Sequence, residues 1–153
     1  MPNSYSSIYI QSVFAVKYRK AVIDKKWKND LYAVMGNLFK QNNCLPLAIN
    51  GIEDHVHCFY KLGRTVSIAE VLKNVKGKSS KWINDSNLTP GKFVWQTGYG
   101  SFSYGQSDYN RIVEYVRNQE QHHKRTTFNE EYRNLLREFE IDFDDEYLFR
   151  DVE

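Results

Sequence analysis

The apolar residues of this chain change their spacing in a fixed order, and that order constrains the fold more than any other feature. Residues 8–19, IYIQSVFAVKYR, alternate as a strand does, with Ile8 and Ile10 on one face and Tyr9, Val13 and Ala15 on the other. The run reads as a central strand. Asp24 then caps a helix in which Trp27, Leu31, Val34, Met35, Leu38 and Phe39 form one buried stripe, ended by Asn42 and Asn43. LPLAING and HVHCFYKL follow, joined tightly through residues 51–54 as two antiparallel strands. Ser67, Ile68, Ala69 and Glu70 make a capping box for a second helix, with Ile68, Val71, Leu72 and Val75 inward. Pro90 and Gly91 lead into KFVWQTGYGSFSYG, a strand to about Gln96 with a glycine-softened continuation from Tyr99. A third helix begins near Ser107 or Asp108 and runs to about Lys124. A second capping box, Thr127 to Glu130, starts a fourth that runs to about Phe139.

The order is β α β β α β followed by two helices. It predicts an α+β fold of the ferredoxin-like, split βαβ kind: an antiparallel sheet with helices on one face and an addition of C-terminal helices. Such a fold hosts many functions and names none.

A chain of 153 residues is expected to form a single domain around one core, with no need of disulfides or a structural metal. The two cysteines, Cys44 and Cys58, suit a reduced, cytoplasmic setting. No run of 18 apolar residues is present, and the start, MPNSYSSIYI, lacks a basic segment ahead of an apolar one, so neither a membrane span nor a secretory signal is expected. The net charge of +2 is unevenly placed. From Glu138 to Glu153 eight carboxylates face Arg150 alone, a net −7 that leaves +9 on residues 1–137. A basic body with an acidic tail at 140–153 attracts polyanions, which makes nucleic acid the first partner to consider.

Two groups of residues carry chemistry. His55 and His57 flank Val56 on a strand, so both imidazoles project from one face while Val56 turns to the other. Neutral imidazoles paired this way are common metal ligands, although an isolated pair of this kind also occurs as two ordinary histidines. Asp54, just before them, could orient or extend such a site, but its neighbouring position puts it on the opposite face, and it reads first as a turn residue. Tyr115 and Gln119 are four apart and share a helical face, with His122 and His123 a turn further on and Val113 and Val116 toward the core. Alone, that pair reads as a core edge and a solvated residue. The second helix is basic on its other face, through Lys73, Lys76, Lys78 and Lys81.

Taken together, FAVKYRKAVI, DHVH at Asp54 to His57, KGKSSKWIN at Lys76 to Asn84, FVWQTGYGSFS at Phe93 to Ser103 and YVRNQEQHH at Tyr115 to His123 give a chain that resembles the HUH-type tyrosine transposases. These are the small single-strand transposases of the IS-two-hundred class and their REP-associated relatives. The resemblance spans Ile8 to Tyr132. It implies that His55, His57 and Gln119 hold a divalent metal, Mg²⁺ or Mn²⁺, and that Tyr115 is the nucleophile, cleaving single-stranded DNA through a 5′-phosphotyrosine. It implies DNA with hairpin ends as partner, and a homodimer in which first-strand edges pair and the tyrosine of one chain can serve the histidines of the other. Lys73, Lys76, Lys78 and Lys81 are the expected backbone contacts, and Trp95, Tyr99, Phe102 or Tyr104 the candidates for stacking on bases, at least half of these aromatics being core. His122, His123 and a metal-bound water are candidate bases for the phenol, with a helix-end structural role favoured for the two histidines. Cys58, Phe59 and Tyr60 depart from the family's usual aliphatic run, and the acidic tail has no counterpart. The competing class is a non-catalytic ferredoxin-like nucleic-acid-binding module or a domesticated transposase remnant, and the former makes His55 and Tyr115 dispensable.

Overall fold

The computed structural model describes residues 3–144. The acidic tail lies outside that range from residue 145 onward. The elements are β1 (Tyr9–Ala15), a 3-10 turn (Lys17–Arg19), α1 (Lys28–Gln41), β2 (Leu45–Ile52), β3 (His55–Lys61), α2 (Ile68–Asp85), β4 (Gly100–Tyr104), a second 3-10 turn (Gln106–Asp108), α3 (Tyr109–Arg117), α4 (Gln119–His122) and α5 (Phe128–Glu138). The sheet has the order β2-β3-β1-β4 with every neighbouring pair antiparallel, as the split βαβ pattern requires. None of the described helices is long and apolar enough to cross a membrane.

β1 is central. Tyr9 to Ala15 pairs with Lys61 to His55 on one side, and Tyr9 to Val13 with Tyr104 to Gly100 on the other. With both edges occupied it cannot pair with a second copy, so the expected dimer contact through first-strand edges is ruled out; among the described residues the outer strands of the sheet are β2 and β4.

Alternation along the strands divides the molecule into layers. Ile10 and Phe14 of β1, with Val56, Cys58 and Tyr60 of β3, pack under α1 and α2 against Leu31, Met35, Phe39, Val71, Leu72 and Val75. On the opposite face Val13 and Ala15 meet Phe128, Leu135 and Leu136 of α5, and Phe59 meets Ile112, Val113 and Val116 of α3. The C-terminal helices therefore cover the sheet face that α1 and α2 leave open. His55 and His57 lie on that face.

Several boundaries differ from expectation. β1 stops at Ala15 because Tyr18 and Arg19 adopt φ of 59° and 50°, which bends the chain out of the sheet. Asp24 does not cap α1 directly. Its Oδ1 accepts from Lys26 N at 2.8 Å and its carbonyl from Lys28 N at 3.0 Å, a turn that delivers the chain to a helix starting at Lys28. Residues 93–96 form no ladder strand, only a bridge between Trp95 and Val16, and β4 begins at Gly100 after Gly98 turns with φ of 91°. The third helix is interrupted at Asn118, where Asn50 Nδ2 of β2 donates to the Arg117 carbonyl at 2.9 Å. Both capping boxes have the expected N-cap bond: Ser67 Oγ accepts from Glu70 N at 3.1 Å and Thr127 Oγ1 from Glu130 N at 3.2 Å.

Two glycines give opposite expectations. A Cβ at Gly51 would lie 2.0 Å from the His55 carbonyl oxygen, and backbone cannot yield, so Gly51→Ala is expected to cost about 1–3 kcal/mol. Gly77 is an exposed residue of α2 with nothing within 4 Å of such a Cβ, and Gly77→Ala is expected to stabilise by about 0.5–1 kcal/mol. Urea denaturation of the two variants checks both signs.

Candidate metal centre and nucleophile

The β1–β3 register places Val13 opposite His57 and Ala15 opposite His55, so both imidazoles project into the space between the sheet and α5. Both are fully buried. Their Nδ1 atoms are occupied. His55 Nδ1 donates to Asp54 Oδ1 at 2.7 Å, and His57 Nδ1 to Gln11 Oε1 at 2.7 Å. The second orientation is fixed because Gln11 Nε2 donates to the Tyr104 hydroxyl at 2.8 Å, leaving Gln11 Oε1 to accept. In the neutral tautomers this leaves an Nε2 lone pair on each ring, aimed inward.

Oxygen atoms stand opposite those lone pairs. Glu131 Oε1 lies 3.0 Å from His57 Nε2 and 3.4 Å from His55 Nε2, and Gln119 Oε1 lies 3.3 Å from His55 Nε2. His123 Nε2 lies 2.8 Å from the same Glu131 oxygen. Lone pairs cannot face one another in a dry interior unless a cation, whether proton or metal, comes between them. The ligand atoms of His55, His57, His123 and Glu131 all fall within 4.8 Å of one another. Atoms bound at about 2.1 Å to one ion are separated by about 3.0 Å in an octahedron and about 3.4 Å in a tetrahedron. The spacing fits, and the occupied Nδ1 atoms are the outer bonds that metal-ligating histidines make. This group can hold a divalent ion.

The protonation states follow from the same contacts. Burial alone would lower His55, but the hydrogen bonds to Asp54 and Glu131 outweigh it and raise its pKa. His57 is lowered, because burial prevails over the Glu131 carboxylate. Burial by itself would raise Glu131, yet the imidazoles of His57, His123 and His55 hold it well below the usual carboxylate range.

Tyr115, half-buried on α3, donates its hydroxyl to Glu131 Oε2, and its ring meets His57 edge-on at 5.6 Å. Burial and then the Glu131 carboxylate push its pKa above the ordinary phenol value. Gln119 is buried, not solvated, and its Nε2 donates to Glu131 Oε2 at 3.2 Å. The four expected residues, His55, His57, Tyr115 and Gln119, are thus gathered in one chain. His123 joins them through a buried side chain where a helix-end role was expected, and His122 Nε2 lies 3.2 Å from Glu131 Oε2.

Glu131 is the residue the sequence reading missed. Its signal was available: on α5 the inward stripe Phe128, Glu131, Tyr132, Leu135, Leu136 has the spacing 0, 3, 4, 7, 8, with a carboxylate where an apolar residue is the rule. The expected DNA-contacting lysines sit elsewhere. α2 covers the opposite face of the sheet, where Lys76 Nζ donates to the Gln96 and Gly98 carbonyls at 2.8 and 2.7 Å and burial lowers its pKa to about 8. Lys81 pairs with Asp85 at 2.7 Å, and Lys73 and Lys78 are exposed. Of the candidate stacking aromatics Trp95 and Phe102 are core, whereas Tyr99 is exposed.

Paired imidazoles on an interior strand of a ferredoxin-like sheet, with the side chains of Tyr115 and Gln119 above them, thus face one buried carboxylate. The sequence profile of the family described as "Transposase IS200 like" matches residues 4–119, and the chain belongs to that family. The fold is similar to that of a candidate transposase from Deinococcus radiodurans R1, at 20% identity and a TM-score of 0.62 over 76% of this chain and 94% of that one. It is also similar to a REP-associated tyrosine transposase bound to a REP hairpin, at 13% identity and a TM-score of 0.60 over 79% of this chain and 72% of that one. No curated protein matches the sequence.

Calorimetric titration with Mn²⁺ is expected to show one site that Glu131→Ala abolishes. Gln11→Ala and Asp54→Ala are expected to weaken it about 10- to 100-fold by freeing the imidazole rings. Metal must displace a proton from His55, whose pKa lies above the ordinary value, so affinity is expected to keep rising with pH beyond about 6.5. Affinity indifferent to Gln11 and Asp54 would refute this account of the site.

Proposed function

We propose that the protein is a metal-dependent transposase that cleaves and rejoins single-stranded DNA with hairpin ends. The observation that carries this reading is the convergence, within one chain, of the Tyr115 hydroxyl on the carboxylate that also faces His55 and His57. The Tyr115 oxygen, losing its phenol proton, attacks the scissile phosphorus, the P–O3′ bond breaks, and the departing 3′ oxygen takes up a proton, which leaves a 5′-phosphotyrosine and a 3′-hydroxyl. Because the bond energy is kept in the phosphotyrosine, attack by another 3′-hydroxyl rejoins the strand without a nucleotide cofactor.

A bound divalent ion, Mg²⁺ or Mn²⁺, would polarise the phosphate and stabilise the departing oxygen. His55, His57 and Gln119 would hold it, joined by His123 and Glu131. A donor set so rich in imidazole favours Mn²⁺ over Mg²⁺. The remaining work is done by the chain itself. Glu131 positions the phenol and, while its charge is uncompensated, keeps the phenol protonated. Asp54 and Gln11 lock the two rings, and α5 with Phe128 covers the site from solvent.

Incubation with a library of hairpin-bearing single strands and Mn²⁺ is expected to give a covalent protein–DNA adduct on a denaturing gel. Tyr115→Phe is expected to lose the adduct while retaining Mn²⁺ binding. The tyrosine stands beside its own chain's histidines, so a homodimer, if formed through β2 or β4, need not share its sites. A mixture of Tyr115→Phe and His55→Ala chains is therefore expected to stay inactive, and recovery of adduct in the mixture would establish exchange of the tyrosine between chains.

A further inference from the structure

A cleft of about 320 Å³ opens beside the metal-ligand cluster, bounded by Ala15 of β1, Thr97 and Tyr99 of the loop before β4, Phe128 and Tyr132 of α5, and Asp144. Its wall is continuous with the site. The Phe128 ring stacks on His55 at 4.3 Å and 29°, and Tyr132 stacks on Phe128 at 5.5 Å and 16°. Tyr132 can lie there because residue 100 is glycine: a Cβ at that position would come within 2.6 Å of the tyrosine ring. Tyr99 is 40% exposed on the loop side of the cleft. Flat aromatic walls with polar edges suit a heteroaromatic ring, and a space of this size is at the small end of ligand clefts.

A second feature adjoins the cleft. Two residues after Ala15 the chain enters the turn Lys17–Arg19, in which Tyr18 and Arg19 are consecutive non-glycine residues in the left-handed region. Such backbone is costly and is held by its surroundings. Lys17 N donates to the Val94 carbonyl at 3.0 Å and Arg19 Nη1 to Gln96 Oε1 at 2.9 Å, which fastens the turn to the segment leading into the cleft wall. The ammonium groups of Lys17 and Lys20 lie 5.2 and 5.9 Å from the centroid of the half-exposed Tyr18 ring, and Lys92 lines a separate hollow that Lys17, Tyr18 and Lys20 also border. Ala15 pairs with His55, so this basic turn, the cleft and the metal cluster occupy one end of the sheet.

We propose that the cleft seats an unpaired nucleobase of the DNA strand next to the scissile phosphate, and that Lys17 and Lys20 hold backbone phosphates of the same strand. The proposal deepens the single-strand transposase reading and rests on it for the identity of the strand. Stacking accepts any base, and lysines contact phosphate regardless of sequence, so a homopolymer serves as probe.

Fluorescence anisotropy with a labelled oligothymidine of about 20 nucleotides, titrated with salt, tests both halves. Lys17→Ala/Lys20→Ala is expected to reduce the slope of log affinity against log salt by about 1.4, or about 0.7 for each phosphate that is no longer neutralised. Tyr99→Ala is expected to weaken binding about 5- to 150-fold without changing that slope. Lys73→Ala/Lys78→Ala, on the far layer, is expected to change neither. All these side chains are at least partly exposed, and unchanged Mn²⁺ affinity reports that each variant is folded. Wild-type protein that fails to bind the probe at low salt, an unchanged slope for the Lys17 and Lys20 pair, or a slope reduced at Lys73 and Lys78 instead would overturn the proposal. An unaltered affinity for Tyr99→Ala would overturn its base-seating half. If no strand gives a covalent adduct but these variants behave as stated, the cleavage reading fails and the strand-binding track stands.

Discussion

Glu131 is 3% exposed, and a carboxylate so deeply buried persists only if donors or cations surround it. The surroundings here come from three directions: His55 and His57 from the sheet, Gln119 and His123 from the segment after α3, and Tyr115 from α3 itself. Each of these three groups is placed by a different part of the fold, and all must be in register for the charge to be tolerated. The same convergence fixes α5 over the sheet and α3 beside it. A single buried anion thus ties the C-terminal helices to the ferredoxin-like body, and removing it would leave several imidazole and amide groups without partners.

The central place of β1 is the second constraint. Its residues alternate between two interiors, so Phe14 packs under α1 and α2 with Trp95 at 4.8 Å while Gln11 and Val13 lie on the face that carries His55 and His57. Gln11, a polar residue at 0% exposure, is accounted for by this role: its Oε1 accepts a hydrogen bond from His57 Nδ1 on one side and its Nε2 donates one to the Tyr104 hydroxyl on the other. Ser12, on the opposite face, satisfies its hydroxyl with Tyr60 at 2.8 Å and Ser101 at 2.7 Å. Buried polar groups on a central strand are costly unless paired, and here every one of these pairs either orients a site residue or locks β1 to its neighbours.

The interruption at Asn118 shows how local backbone and site geometry are linked. A continuous helix from Tyr109 to His122 would keep Gln119 strictly one turn above Tyr115. The break redirects the chain, held by Asn50 at the Arg117 carbonyl, and Gln119 points into the interior with its oxygen toward His55. His123 follows it inward. The residues of YVRNQEQHH are therefore not a single helical face but two short helices whose inner sides meet at Glu131.

Much of this was legible in the sequence because it depends on near neighbours. Strand alternation puts His55 and His57 on one face whatever the rest of the chain does, helical spacing brings Tyr115 near Gln119, and Ser67 and Thr127 start helices by bonding three residues on. The switch of periodicity from strand to helix and back specified the sheet and its covering helices for the same reason. What the tertiary structure alone decided depends on separations that periodicity does not encode. Glu131 is 74 residues from His57 and 16 from Tyr115, and a carboxylate on a helix stripe does not announce which imidazoles it will meet. Gln11 becomes a site residue only because β1 pairs with β3 in a particular register, and Lys76 turns from a solvated cation into a clasp on the Gln96–Gly98 segment only when α2 docks beside it. Local backbone sterics set the elements, but long-range packing set the partners, because a buried polar atom must take whichever complementary group the fold brings within reach.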